Sequence, residues 1–120
     1  MSLTSQFKEK LKLLKSKLEK ASKAYKYTAE LIISGLKTIS LEDPVRNIFA
    51  KHEFINQESF AKLKLLINEL NIFYKHEEII LYDDKRIQKA LEILNVFEDQ
   101  INDILATLQA RAIFLENLLR

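Results

Sequence analysis

Residues 7–39 read FKEKLKLLKSKLEKASKAYKYTAELIISGLKTI. Apolar or small side chains recur through this stretch at alternating spacings of four and three: Phe7, Leu11, Leu14, Leu18, Ala21, Tyr25, Thr28, Ile32, Gly35 and Ile39. A seam of this spacing keeps one stripe of a helix facing the same way over many turns, so the stretch is a long helix built to lie against other helices. A helix from Thr4 to Ile39 is therefore expected, with Leu14, Leu18, Tyr25 and Ile32 among its inward knobs.

The rest of the chain extends the same grammar. Its 120 residues hold one glycine and one proline, far below the average usage of about 7% and 5%, so the residues that tight turns and hairpins need are almost missing. An all-α fold follows, and the length suits a single domain, residues 1–120. The only strong break is Ser40-Leu41-Glu42-Asp43-Pro44, where Asp43 can cap and Pro44 suits a first helical position. A short helix, Val45 to His52, is expected after it, with a second, weaker break at Asn56 that leaves open whether the chain bends there. The next long helix places Phe60, Leu63, Ile67, Leu70, Tyr74 and Leu81 on its seam, widened by Leu66, Phe73 and Ile80, a stripe broad enough to face a core. Tyr82-Asp83-Asp84 marks a third start. From there Ile87, Leu91, Leu94, Phe97, Ile101, Leu105, Leu108, Ala112, Leu115 and Leu119 form a seam with a one-residue slip between Leu94 and Phe97. The expected architecture is an elongated up-down-up bundle of three long helices with coiled-coil-like packing.

A rod of this kind has much surface for its volume, and apolar residues remain off every seam. Leu13, Tyr27, Leu65 and Ile72 are examples, but the fullest set is Ile93, Val96, Ile113 and Phe114 on the last helix. A second copy of the chain would bury these four, so a homodimer using them as a self-interface is expected. A partner helix docking on the same stripe is the related expectation.

Charge is unevenly spread. Residues 1–40 carry a balance of +6 and residues 41–120 a balance of −4. Lys8, Lys10, Lys12, Lys15, Lys17, Lys20, Lys23 and Lys26 surround the first helix on several sides, whereas a nucleic-acid-reading face concentrates its charge. Lys8, Lys10 and Lys12 also stand in the first turns, where the macrodipole disfavours positive charge by a few tenths of a kcal/mol each. Glu77 and Glu78 are expected to compensate by lying opposite Lys8 to Lys15. The alternative is an anionic partner, either nucleic acid or a lipid surface. Because no aromatic is interleaved before Tyr25, base stacking has little support, and phosphate contact alone would be non-specific.

The chemistry-bearing residues are few. Without cysteine there are no disulfides or thiolate sites. His52 and His76 have no Glu-x-x-His or His-Glu-x-x-His spacing around them, so neither a metal nor a cofactor is expected. No run approaches the roughly 20 apolar residues of a membrane span, and no signal-peptide pattern opens the chain, so a cytoplasmic location is expected. One constellation remains, Arg46-Asn47-Ile48-Phe49-Ala50-Lys51-His52. It resembles the arginine-to-histidine signature of HEPN ribonucleases, all-α proteins that dimerise to form a metal-independent RNA-cleaving cleft. The resemblance implies that Arg46 stabilises phosphate charge, Asn47 orients it and His52 is the acid or base. It covers seven residues, and Phe54 stands where the family often has tyrosine. The leading expectation is thus a non-enzymatic, self-associating interaction or scaffold module, with nucleic-acid association and HEPN-like ribonuclease activity as alternatives.

Overall fold

Short acceptor side chains set the helix starts. Ser2 Oγ accepts the Ser5 N–H at 3.1 Å, Asp43 Oδ1 accepts that of Val45 at 2.9 Å and Asp83 Oδ1 that of Lys85 at 2.8 Å; each satisfies a donor that has no partner inside its own helix. The computed structural model describes residues 2–120. Its elements are α1 (Leu3–Thr38), α2 (Pro44–Lys75), the single turn α3 (Glu77–Ile80) and α4 (Asp84–Leu119).

The helix directions follow from which residues meet. Along α1 and α4 the numbers rise together: Lys10 and Lys17 reach Glu98, Thr28 Oγ1 lies 3.4 Å from the Leu108 carbonyl, and Tyr27 hydrogen-bonds Glu116. Across α1 and α2 they run in opposite senses, since Tyr25 stacks on Phe60 and Gly35 lies against Phe49. The bundle is up-down-up, as its seams imply. Its extents are 62 × 21 × 16 Å with a radius of gyration of 18.4 Å, against about 14 Å for a compact domain of this length.

The α1 seam is buried as its spacing demands: Phe7, Leu11, Leu14, Leu18, Ala21, Thr28, Ile32 and Gly35 all lie inside. Several details of the other helices differ from the sequence reading. The segment after Pro44 is not a separate short helix, because α2 runs unbroken from Pro44 to Lys75. Asn56 does not cap a new helix there; its side chain turns inward to Arg111. The seam of α2 is Phe49, Asn56, Ser59, Leu63, Leu66 and Leu70, while Phe60 and Tyr74 are exposed. On α4 the buried row is Ile87, Ala90, Leu94, Phe97, Ile101, Ile104, Leu108, Arg111 and Leu115. That row alternates three and four without a slip, with Ala90 in place of the bulkier Leu91 and with Arg111 turned inward beside Ala112, which is buried as well. Finally, α2 stops at Lys75, and Ile80 and Leu81, in the turn that follows, pack against the core from there.

Most of the core is one cluster built from Phe7 to Ala21, Leu63 to Leu70 and Ile87 to Leu108. Ile32, Phe49 and Leu115 form a second, smaller cluster near the α1–α2 connection. Burying each leucine or phenylalanine of these sets contributes about 1.5–3 kcal/mol. Phe49 is fully buried, and a Cβ on Gly35 would stand 2.3 Å from its Cδ1. Gly35 is therefore required by close approach between α1 and α2.

Candidate functional site: a polar layer and an open trough between α2 and α4

Between the two apolar clusters lies a layer of polar side chains. Continuing the Leu63–Leu66–Leu70 spacing toward the start of α2 brings Ser59, Asn56 and His52 onto the core side, and Arg111 occupies the facing seam position of α4. Arg111 Nη1 donates to Asn56 Oδ1 at 3.1 Å and to Ser59 Oγ at 3.0 Å. Thr28 completes the layer from α1, its Oγ1 donating to the Ala24 carbonyl at 2.8 Å.

Arg111 retains only 9% exposure, and burial pushes its pKa below the ordinary arginine value. A guanidinium remains charged under all ordinary conditions, so this is a buried positive charge. Buried charges are normally paired, because removal from water is expensive. Among the described residues, however, no carboxylate lies within ion-pair distance of Arg111. Asn56 and Ser59 satisfy Nη1 without neutralising the charge, while Nε and Nη2 have no hydrogen-bond partner among the described residues. His52 lies in the same neighbourhood. Its ring packs on Phe114 with centroids 5.4 Å apart, and burial, followed by the charges of Arg111 and Lys51, lowers its pKa and so favours the neutral imidazole.

Arg111 lines one end of a trough between α2 and α4 with a volume of about 560 Å³. The trough exists because α1 packs closely on both other long helices while α2 and α4 touch each other far less. Ile55, Leu65, Leu66 and Ile104 supply its apolar surface, and Glu58, Lys62, Glu69, Gln100, Asp103 and Thr107 its polar surface. Beyond the trough, the same heptad rows continue into exposed apolar residues: Ile72 on α2, and Ile93, Val96 and Phe114 on α4. Ile113 is exposed one row further round α4. Ile93, Val96 and Phe114 thus stand on or near the α2-facing side of α4, whereas Ile113, one turn before the Glu116 that meets Tyr27 of α1, does not share that side.

The lysines of α1 divide into two groups. Lys10 and Lys17 reach across to Glu98 on α4 at 2.5 and 2.8 Å, and Lys17 also meets Asn102 Oδ1 at 3.0 Å. The compensation expected from Glu77 and Glu78 comes from Glu98 instead, because those two glutamates lie on the α3 turn while α4 runs alongside α1. Lys8, Lys12, Lys15, Lys20, Lys23 and Lys26 stay exposed. The two lysines hold the Glu98 carboxyl below its usual value of 4.5. A depressed folded-state pKa means stability that is present above the unfolded value and lost as pH falls through the folded one. Glu98→Gln is accordingly expected to lower the melting temperature at pH 7 by about 3 °C. That deficit should shrink as the pH is lowered below 4.5 and through the depressed folded value; a pH-independent deficit in a thermal melt series would contradict the pairing.

Arg46 and His52 lie six positions apart on the continuous α2, which turns them about 120° from each other and separates them by roughly 9 Å along the axis. Asn47 is exposed between them. Arg46 Nε and His52 Nδ1 are both buried without a hydrogen-bond partner among the described residues. His52 belongs to the Arg111 layer rather than to a cluster with Arg46. No group of three potential metal ligands occurs among the described residues, and no described helix is long and apolar enough to cross a membrane.

The sequence reading missed Arg111, Asn56 and Ser59 as a unit. The signal was present: extending the leucine rows at strict three-four spacing lands on these polar residues, and a polar side chain on a seam marks a specified site. Comparisons with protein-family models, curated proteins and solved structures found no match.

Proposed function

We propose that the protein is a non-enzymatic, self-associating helical interaction module whose working surface is the trough between α2 and α4. The observation that carries this reading is the incompleteness of the bundle on that side. Two long helices leave an open trough between them; Leu65 lines it, and Ile72, Ile93 and Val96, about half exposed or more, continue its rows beyond it. Exposed apolar residues flanking an open trough are what a further helix covers.

Surface area supports the same reading. The chain exposes 8068 Å², against about 6,700 Å² for a compact monomer of this mass. A standard interface buries about 800 Å² per partner, so one such contact along the trough removes a large part of the surplus. Phe114→Asp and, separately, Val96→Asp are expected to give monomers in sedimentation velocity under conditions where the unaltered chain is a dimer. Val96 is 61% exposed and has little role in the fold, so its variant separates loss of association from loss of structure. Two variants that both remain fully dimeric would place the contact elsewhere.

A further inference from the structure

We propose that two copies of this chain pair antiparallel through α4, about a two-fold axis beside Thr107, so that Asp103 of each copy meets the Arg111 guanidinium of the other. The inference rests on the self-association proposed above and specifies its geometry.

The first support is charge. Arg111 is nine-tenths buried, carries no ion pair among the described residues and has used only Nη1 on its own chain. A carboxylate arriving through the trough would complete it, and Asp103 is a carboxylate that lines the same trough without an ion-pair partner among the described residues. Within one copy the two residues are eight positions apart on α4, about 12 Å along the axis at 1.5 Å per residue. Thr107 is the residue midway between them. A two-fold axis at Thr107 exchanges the levels of positions 103 and 111, so a single operation forms two reciprocal pairs and closes the assembly as a dimer.

The second support is shape. Thr107 and Ala110 are small and exposed, which lets two helices cross at the short end of the 8–10 Å range of interaxial distances. The same operation brings Phe114 of one copy to the level of Gln100 of the other. Near that level Leu65, which lines the trough, and Val96, one turn before Gln100 on α4, stand 57% and 61% exposed. Phe114, itself 45% exposed, supplies the aromatic side chain that fills the space between them.

The third support is selectivity among occupants. Glu58 and Glu69 also line the trough, with Lys62 the one lysine among its lining residues, so that away from Arg111 acidic groups outnumber basic ones and oppose entry of a polyanion such as nucleic acid. The α4 row Gln100, Asp103, Thr107, Ala110 and Phe114 carries a single charge. It delivers one carboxylate to Arg111 and otherwise presents neutral side chains to the acidic rim.

The chain has no cysteine, so Thr107→Cys introduces a sole thiol at the proposed axis. Under mild oxidation, at a concentration where the unaltered chain sediments as a dimer, this variant should become a covalent dimer about tenfold faster than Ser16→Cys, which places the thiol on the exposed side of α1. Asp103→Arg, at an exposed position, should weaken dimerisation about tenfold. Cross-linking of Thr107→Cys no faster than of Ser16→Cys, or unchanged dimerisation of Asp103→Arg, overturns the α4 axis. If the unaltered chain is dimeric in that experiment, self-association stands and only the axis falls; if it is monomeric throughout, both fall.

Discussion

Replacing the polar layer as a unit, with Asn56→Leu, Ser59→Ala and Arg111→Met in one chain, is expected to stabilise the fold by about 2 kcal/mol. The wild-type layer holds a buried guanidinium through two neutral acceptors, Asn56 and Ser59, with no carboxylate beside it among the described residues. Hydrogen bonds of this kind recover only part of the desolvation cost, and replacing the entire group by apolar side chains of similar volume removes that cost. The substitutions also join the two apolar clusters that the layer separates. Removing one partner should act in the opposite direction: Asn56→Leu alone leaves Arg111 buried with fewer acceptors and is expected to cost about 2 kcal/mol. The change of sign between the single and triple variants, read from urea unfolding midpoints, is the diagnostic result. A triple variant less stable than wild type would mean that the layer is itself a net source of stability. Under the present account the triple variant folds well and dimerises poorly, because it has lost the group that receives Asp103.

Gly35→Ala is the second large effect, and its direction runs against helix propensity. In an exposed helix interior the change would be favourable by about 1 kcal/mol. Here the new methyl group would lie 2.3 to 2.6 Å from three atoms of the Phe49 ring, including Cγ, and Phe49 is fully buried. The ring cannot swing aside into solvent, so α1 and α2 must separate or Phe49 must leave its rotamer. Overpacking of this kind costs about 1–3 kcal/mol, and a net loss of about 2 kcal/mol is expected in denaturant unfolding. Shortening the neighbour should relieve it. Gly35→Ala combined with Phe49→Leu is expected to be nearly as stable as Phe49→Leu alone, a coupling that residues not in contact would lack. Additive losses would show that the two side chains do not compete for the same space.

The α1 seam was readable from residue types alone because its heptad positions hold apolar or small side chains throughout, down to Thr28 and Gly35. The same rule misplaced parts of α2 and α4. There it favoured bulk and apolarity, choosing Phe60 and Tyr74 over Asn56 and Ser59 and Leu91 over Ala90, and it passed over Arg111 beside the buried Ala112. The row that interdigitates is set by helix register, and a few inward polar residues are carried along with it. Asn56 read as a cap because an isolated asparagine has no visible partner; Arg111, 55 positions later, provides it. The Glu98 pairing with Lys10 and Lys17 was equally hidden, since it depends on α4 running parallel to α1. The exposed apolar residues of α4 were legible as leftovers, but the trough they border is a property of how three helices are arranged.

Sedimentation equilibrium of the unaltered chain over a wide concentration range tests the central claim most directly. The account predicts an average mass that rises with concentration from the 14.1 kDa of one chain to a plateau at about twice that value, as a closed isologous dimer requires. A mass that stays at 14.1 kDa across the range would contradict it.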